Sequence, residues 1–233
     1  MLVDSIKSFR AILGSRANYV VHTDDPRHVK RYLRGIADVF AFSDYHNPSF
    51  ATFTGPTWGK WCPCPRLAPG DLEVHVDADV FLLAEPVEIF TLLDSRNKMK
   101  YLVLEEFKGE SWQRGCFADM IPSSVPFINA GLFAQGPNGD ISESMQTQYD
   151  WWLSKRHLLK ETFHDEQGAL TLAIANDFET GYADVLPKDR YVIISPRSNR
   201  EISSLEGLVL FHATHPDHPA YHRFKNIVRG VGR

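Results

Sequence analysis

The sequence predicts an α/β fold with a mainly parallel sheet, and three observations carry the prediction. Helix-patterned and strand-patterned segments alternate through residues 4–42. An apolar strand pattern over residues 73–83 is interrupted by two aspartates one residue apart, in Asp77-Ala78-Asp79. Further strand-like runs at 101–104, 127–134, 191–194 and 208–211 are separated by helical or irregular stretches. Alternation of this kind implies parallel strands covered by helices. A chain of 233 residues with 43% hydrophobic content is long enough for one sizeable core, so a single domain over 1–233 is expected.

Each element has its own signal. Residues 4–14 read as a helix capped at Asp4, with Ile6, Phe9 and Leu13 on one face and Gly14 as its stop. Residues 19–23 read as a strand ending at Asp24-Asp25. Pro26 opens a helix whose Val29, Leu33 and Ile36 recur at helical spacing, and residues 38–42 form the next strand. Residues 43–72 break into Pro, Gly and aromatic side chains, an ordered excursion that carries Lys60 and Arg66. A short helix follows at 85–93, and residues 105–126 show no clear period. The strand over 127–134 has a small-residue break at Asn129-Ala130-Gly131, where a ligand or another backbone can come close. Residues 143–155 are helical with Met145, Tyr149 and Trp152 on one face. Another helix begins near Asp165-Glu166-Gln167 with acids in its first turn, a favourable place beside the helix dipole. The last apolar strand delivers His212, followed by His215, His218 and His222.

Composition excludes several classes. The formal net charge of −4 and the absence of a basic stripe argue against nucleic acid as a partner. A phosphate-bearing substrate would therefore need a metal or a few local cations. No apolar run approaches the ~18 residues of a membrane span, and the N-terminus lacks the order of a signal peptide. Cys62, Cys64 and Cys116 are a sparse, odd set that suits a reducing compartment, so a soluble cytoplasmic protein is expected.

In a continuous strand, side chains alternate faces, so Asp77 and Asp79 would point the same way and Ala78 the other. Two converging carboxylates call for a partner, and a divalent cation with oxygen ligands is the natural one. The alternative is a solvated turn or a cap for the next helix. Other residues also have plain readings: Arg66 as a surface cation, Asn129-Ala130-Gly131 as a strand bulge, Asp165-Glu166 as the acidic first turn of a helix, and the late histidines as a solvated turn.

Taken in order, Arg66, Asp77-Ala78-Asp79, Asn129-Ala130-Gly131, Asp165-Glu166-Gln167 and the Val-Leu-Phe-His run ending at His212 resemble the nucleotide-sugar glycosyltransferases of the GT-A fold. The resemblance is greatest to the glycogenin-like and lipopolysaccharide galactosyltransferase-like group. It implies a three-layer α/β sandwich whose first nucleotide-binding strand is missing from this sequence. It also implies a metal site of Asp77, Asp79 and His212, with Mn²⁺ or Mg²⁺ as cofactor. Substrate contacts would come from Arg66, Lys60, Asp77, Asn129, Gly131 and His218, the last standing where the family carries a diphosphate-binding lysine. Asp165, Gln167 and Asn129 would be the catalytic set. The implied activity is transfer of a hexose from a nucleotide diphosphate sugar, uridine-linked by this resemblance, to a glycan or other hydroxyl acceptor, with retention at the anomeric carbon. Two other readings stand beside it: a catalytically inactive nucleotide-sugar or carbohydrate-binding module, and a metallohydrolase built on the histidine cluster.

Overall fold

The computed structural model describes residues 1–41, 57–61, 66, 68–94, 96–159, 164–195, 202–214 and 217–230, the side chains of residues 59 and 60 excepted. The chain divides into two compact units. One comprises Met1–Ala41, Val76–Val87 and Leu186–Arg233, and the other Phe42–His75 and Glu88–Val185.

In the first unit, helix α1 (Leu2–Leu13) leads to strand β1 (Val20–Thr23), helix α2 (Pro26–Leu33) and strand β2 (Asp38–Ala41), with β1 and β2 parallel. Asp25 caps α2 by accepting from the His28 amide at 3.1 Å, and Pro26 occupies the first turn, as the sequence predicts. Ile6, Leu33 and Val39 form the small core beneath these elements. The start of α1 differs from expectation, because Asp4 is inside the helix rather than its cap. Its carboxylate instead accepts from Tyr221 Oη at 2.8 Å and Arg229 Nε at 3.0 Å. Both belong to α7 (Pro219–Gly230), a helix hidden in sequence by its proline- and histidine-rich start.

The same unit holds a three-stranded sheet of β4 (Val80–Leu82), β9 (Leu210–Ala213) and β8 (Tyr191–Ile194), in the order β4-β9-β8. Strand β4 runs antiparallel to β9, and β8 parallel to it. Ala213 N donates to Asp79 O and Leu83 N to Val209 O, so odd-numbered residues of this stretch present their backbone to β9. Val80 and Leu82 therefore face the other edge, and α1 closes it with two serines. Ser5 Oγ donates to Val80 O at 2.6 Å, and Ser8 Oγ accepts from Leu82 N at 3.0 Å. Open strand edges invite pairing, and here side-chain hydroxyls take up the free groups. Phe81 stacks between Phe211 and Tyr221, with ring centroids 5.0 and 5.5 Å away.

The second unit is built on a sheet ordered β3-β6-β5-β7, from β3 (Glu73–Val76), β5 (Tyr101–Glu105), β6 (Ile128–Gln135) and β7 (Ala183–Val185). Its helices are α3 (Val87–Phe90), α4 (Ser142–Lys155), α5 (Asp165–Ala173) and α6 (Ala175–Thr180). Met145, Tyr149 and Trp152 of α4 are all buried, on the face the spacing predicts. Trp58 and Trp61, from the short 3-10 turn Trp58–Trp61, join that core, and each buried side chain of this size contributes on the order of 2–3 kcal/mol. Residues 105–126 lack a helical period because they hold a 3-10 segment, Ser111–Met120, broken at Gly115 where φ is 53°.

The pairings β1–β2, β5–β7 and β8–β9 are parallel and β5–β6 and β4–β9 antiparallel, and β3 pairs with the far edge of β6. The β5–β6 reversal follows the long stretch 105–126, where the sequence carries no signal of strand direction. Among the described residues no helix is long and apolar enough to cross a membrane.

Candidate active site

The two aspartates do not sit in one continuous strand. Strand β3 ends at Val76 and β4 begins at Val80, and Asp77-Ala78-Asp79 makes the turn between them, closed by Val80 N donating to Asp77 O at 3.2 Å. Ala78 is exposed rather than turned toward a packed face. The carboxylates thus converge through a turn, which a strand alternation misstates. Register supplies the third member. His212 in β9 stands opposite Val80, one residue past Asp79, so the β4–β9 ladder sets the imidazole beside that carboxylate. Donor atoms of Asp77, Asp79 and His212 all lie within 4.8 Å of one another.

Asp79 is gripped on both oxygens. His212 Nε2 is 3.1 Å from Oδ1, and His218 Nδ1 is 3.2 Å from Oδ2. A carboxylate only accepts, so His212 Nε2 carries the hydrogen in this arrangement. His218 Nδ1 also lies 2.6 Å from Ala213 O, a second pure acceptor, so this nitrogen is protonated as well. The ring is brought back by Asp217 and His218 themselves, with φ of 57° and 45°. Non-glycine residues rarely adopt the left-handed region, and such strain gathers at functional sites. Burial pushes the Asp79 carboxyl up, but the His212 hydrogen bond and the charges of His212 and His218 outweigh it and hold the group below its ordinary value.

The donor set fits a divalent cation. Two carboxylates and one imidazole balance a double positive charge, and ligand atoms about 2.1 Å from one ion lie roughly 3–4 Å from each other. The mixed oxygen-and-nitrogen set suits Mn²⁺ somewhat better than Mg²⁺.

The other expected residues whose side chains are described lie in the second unit and are held by backbone groups and neighbouring side chains. Between Val103 and Leu104 the β5–β6 register slips, Val103 pairing with Phe133 but Leu104 with Asn129, so the Asn129-Ala130-Gly131 break is a bulge. Asn129 shapes it, accepting from Gly131 N at 2.9 Å and donating to Glu106 at 3.0 Å. Gln167 reaches across from α5, accepting from Ala130 N at 3.0 Å and donating to Gln113 O at 2.8 Å. Asp165 is 1% exposed and accepts from Cys116 N and Trp152 Nε1, each at 3.0 Å. Close approach of α5 to the 3-10 segment requires glycine twice. A Cβ on Gly168 would sit 1.9 Å from Arg114 O, and one on Gly115 would sit 2.4 Å from Asp165 Oδ1.

Arg66 is buried, with its guanidinium donating to the carbonyls of Gly136 (2.7 Å), Gly139 and Asp71 and lying 3.6 Å from Glu73. The side chain of Lys60, and His215 entirely, lie outside the described residues. Sequence reasoning missed the buried carboxylate Glu106, which no motif marks, and read Glu166 only as part of an acidic first turn although it is buried.

Comparison with known proteins places the fold. No family model matches the chain, and no curated protein does. Among solved structures it is similar to the galactosyltransferase LgtC in complex with donor and acceptor sugar analogs, at 14% identity and a TM-score of 0.58, covering 100% of this chain and 92% of that one. An active-site mutant of LgtC matches over the same spans at 0.54. Mouse xyloside xylosyltransferase 1 in its apo form matches at 12% identity and 0.50, covering 91% and 92%. The fold is that of the GT-A glycosyltransferases. The α/β architecture expected from sequence stands on that likeness as well as on the strands themselves.

Proposed function

We propose that this protein is a metal-dependent glycosyltransferase that moves a hexose from a nucleotide diphosphate sugar, uridine-linked, to a glycan or other hydroxyl acceptor. The observation that carries the reading is the convergence of Asp77, Asp79 and His212 at one turn of a glycosyltransferase fold. These three residues would hold Mn²⁺ or Mg²⁺, and the ion would supply Lewis-acid stabilisation of the charge that develops on the leaving diphosphate. His218 orients the Asp79 carboxylate from one side, while His212, 3.1 Å from the other oxygen, would give up that contact and its Nε2 hydrogen to ligate the ion. His218, beside the same carboxylate, would be the contact to the diphosphate.

In this reading Asn129, Gln167 and Asp165 serve first as positioning residues. Their hydrogen bonds fix the β6 bulge and the start of α5, and the surface those elements present to a sugar follows from that. Arg66 acts in the same way on the end of β6. The cytoplasmic setting rests on the sparse cysteines.

Isothermal titration with uridine diphosphate tests the metal site directly. Binding is expected with Mn²⁺ present and at least about tenfold weaker in chelator, and equal affinity in both would sink the metal-site reading. Donor turnover in the same samples separates a transferase from a binding module, which would bind and release the nucleotide sugar unchanged.

A further inference from the structure

The net charge of −4 conceals a strongly basic face on α2. Arg27, Lys30, Arg31 and Arg34 recur at i, i+3, i+4 and i+7, which places all of them along one side of the helix and its C-terminal cap. All are exposed, and among the described residues none makes an ion pair or a side-chain hydrogen bond. No acid occurs between Pro26 and Ala37. Arg10 of α1 extends the row, since its guanidinium donates to Ile36 O at 2.8 Å just beyond the end of α2. The sequence reading of no basic stripe is corrected here: a stripe is short enough to vanish in the whole-chain sum.

Ordinary surface chemistry does not account for it. Surfaces usually intersperse signs, and like charges at i, i+4, as in Arg27–Arg31 and Lys30–Arg34, oppose the helix. The helix dipole favours cations in the last turn, which covers Lys30 and Arg31, but it disfavours Arg27 in the first. Beside the stripe, the His28 and Tyr32 rings lie 5.2 Å apart, tilted by 59°, and Tyr32 is 61% exposed, an aromatic of the kind that sits at bilayer interfaces. The apolar side of α2 is spent on its own core, where Leu33 is fully buried, so the helix has nothing to insert. What remains is charge. A protein partner would need a buried apolar centre, which a face with Tyr32 as its one large exposed apolar side chain does not offer.

We propose that the Arg27, Lys30, Arg31 and Arg34 face of α2 docks the protein electrostatically on an anionic phospholipid bilayer. The contact is to headgroup charge and not to one lipid species, and salt weakens it. It does not depend on the metal site or on the glycosyltransferase reading.

Vesicle co-sedimentation of the full chain tests this. Partition into vesicles of phosphatidylcholine mixed with phosphatidylglycerol is expected at low salt and should vanish at high salt and on pure phosphatidylcholine. Each of Arg27→Gln, Lys30→Gln, Arg31→Gln and Arg34→Gln should lower partition on the order of fivefold, with the combined variant losing it. Thermal melting confirms that the combined variant folds, and the single variants carry the test if it does not. Arg223→Gln with Lys225→Gln, on exposed positions of α7, is the control and should cost far less. Several results overturn the proposal: no partition on anionic vesicles, equal loss in the α7 control, which would mean net charge alone, or displacement by duplex DNA or polyglutamate at lower charge concentration than the vesicles.

Discussion

Asp79 and Asp165 are the same residue in opposite situations. Asp79 sits in a turn, part-exposed, held by two imidazole side chains and beside a second carboxylate. Asp165 is sealed in a core, accepting from a backbone amide and an indole that do not titrate. A carboxylate whose partners can leave is available for chemistry, and one whose partners are fixed is available for architecture. Both were read from sequence as site residues, and substitution can tell them apart.

The largest effect is expected for Asp79→Ala. Donor turnover should fall about 10³-fold or more, the equivalent of ~4 kcal/mol of lost transition-state stabilisation. The folded protein should lose only about 1–2 kcal/mol, because the hydrogen bond from His212 goes with the carboxylate while the repulsion from Asp77 is relieved. Turnover assays beside melting curves in chelator decide this. Parent-level turnover in a destabilised variant would make Asp79 a structural turn residue.

Asp165→Ala should show the reverse balance. It strands the Cys116 amide and the Trp152 indole in a dry core, at a cost of about 3 kcal/mol, or on the order of 10 °C in melting temperature for a chain of this length. Gly168→Ala probes the same junction sterically and should cost at least as much, since its Cβ would overlap Arg114 O. If either variant melts like the parent while turnover collapses, Asp165 belongs with Asp79 in the chemistry.

How legible these regions were depends on how local their causes are. Strand β1, helix α2 and strand β2 were readable because cap, proline and apolar spacing act within a few residues. The α4 face of Met145, Tyr149 and Trp152 was readable for the same reason. The Asp77–Asp79 convergence was readable in outcome but not in mechanism, because a continuous strand and a tight turn bring alternate residues together equally well. The partners of Asp165, in contrast, lie 13 and 49 residues away, and nothing in the sequence near any of them announces the meeting. The 3-10 segment Ser111–Met120 has no 3.6-residue period to find, and Gly115 interrupts what period there is. The commitment of Arg66 to backbone carbonyls was equally out of reach, since an arginine ahead of paired aspartates looks alike whether its donors are spent or free.

Acid should sharpen the contrast at Asp79. Its folded pKa is depressed, so its contribution to stability is present above the unfolded value of about 3.9 and is lost as pH falls through the folded value. The stability gap between the parent and Asp79→Ala should therefore be full near neutrality and close at acid pH, measured by urea unfolding in chelator. A gap that stays constant to low pH would mean that the imidazole contacts do not stabilise the carboxylate.

The smallest effect concerns Cys116, whose amide binds Asp165 and whose thiol shares that environment. Burial, with the Asp165 charge adding to it, pushes the thiol up to about 12. Only the thiolate attacks an alkylating reagent, so at pH 8 the reactive fraction is about 10³-fold below that of a free cysteine, and labelling should slow by a similar factor. Peptide mapping after timed iodoacetamide treatment isolates Cys116 from Cys62 and Cys64. The Asp165→Ala variant, measured while still folded, should label faster because the neighbouring negative charge is gone. Turnover should not change when Cys116 is left unlabelled or replaced by serine, since the thiol stands in the architectural region. Rapid labelling in the folded parent would show that the junction between α5 and the 3-10 segment opens readily. The distinction between a fixed carboxylate and an available one would then fail at Asp165.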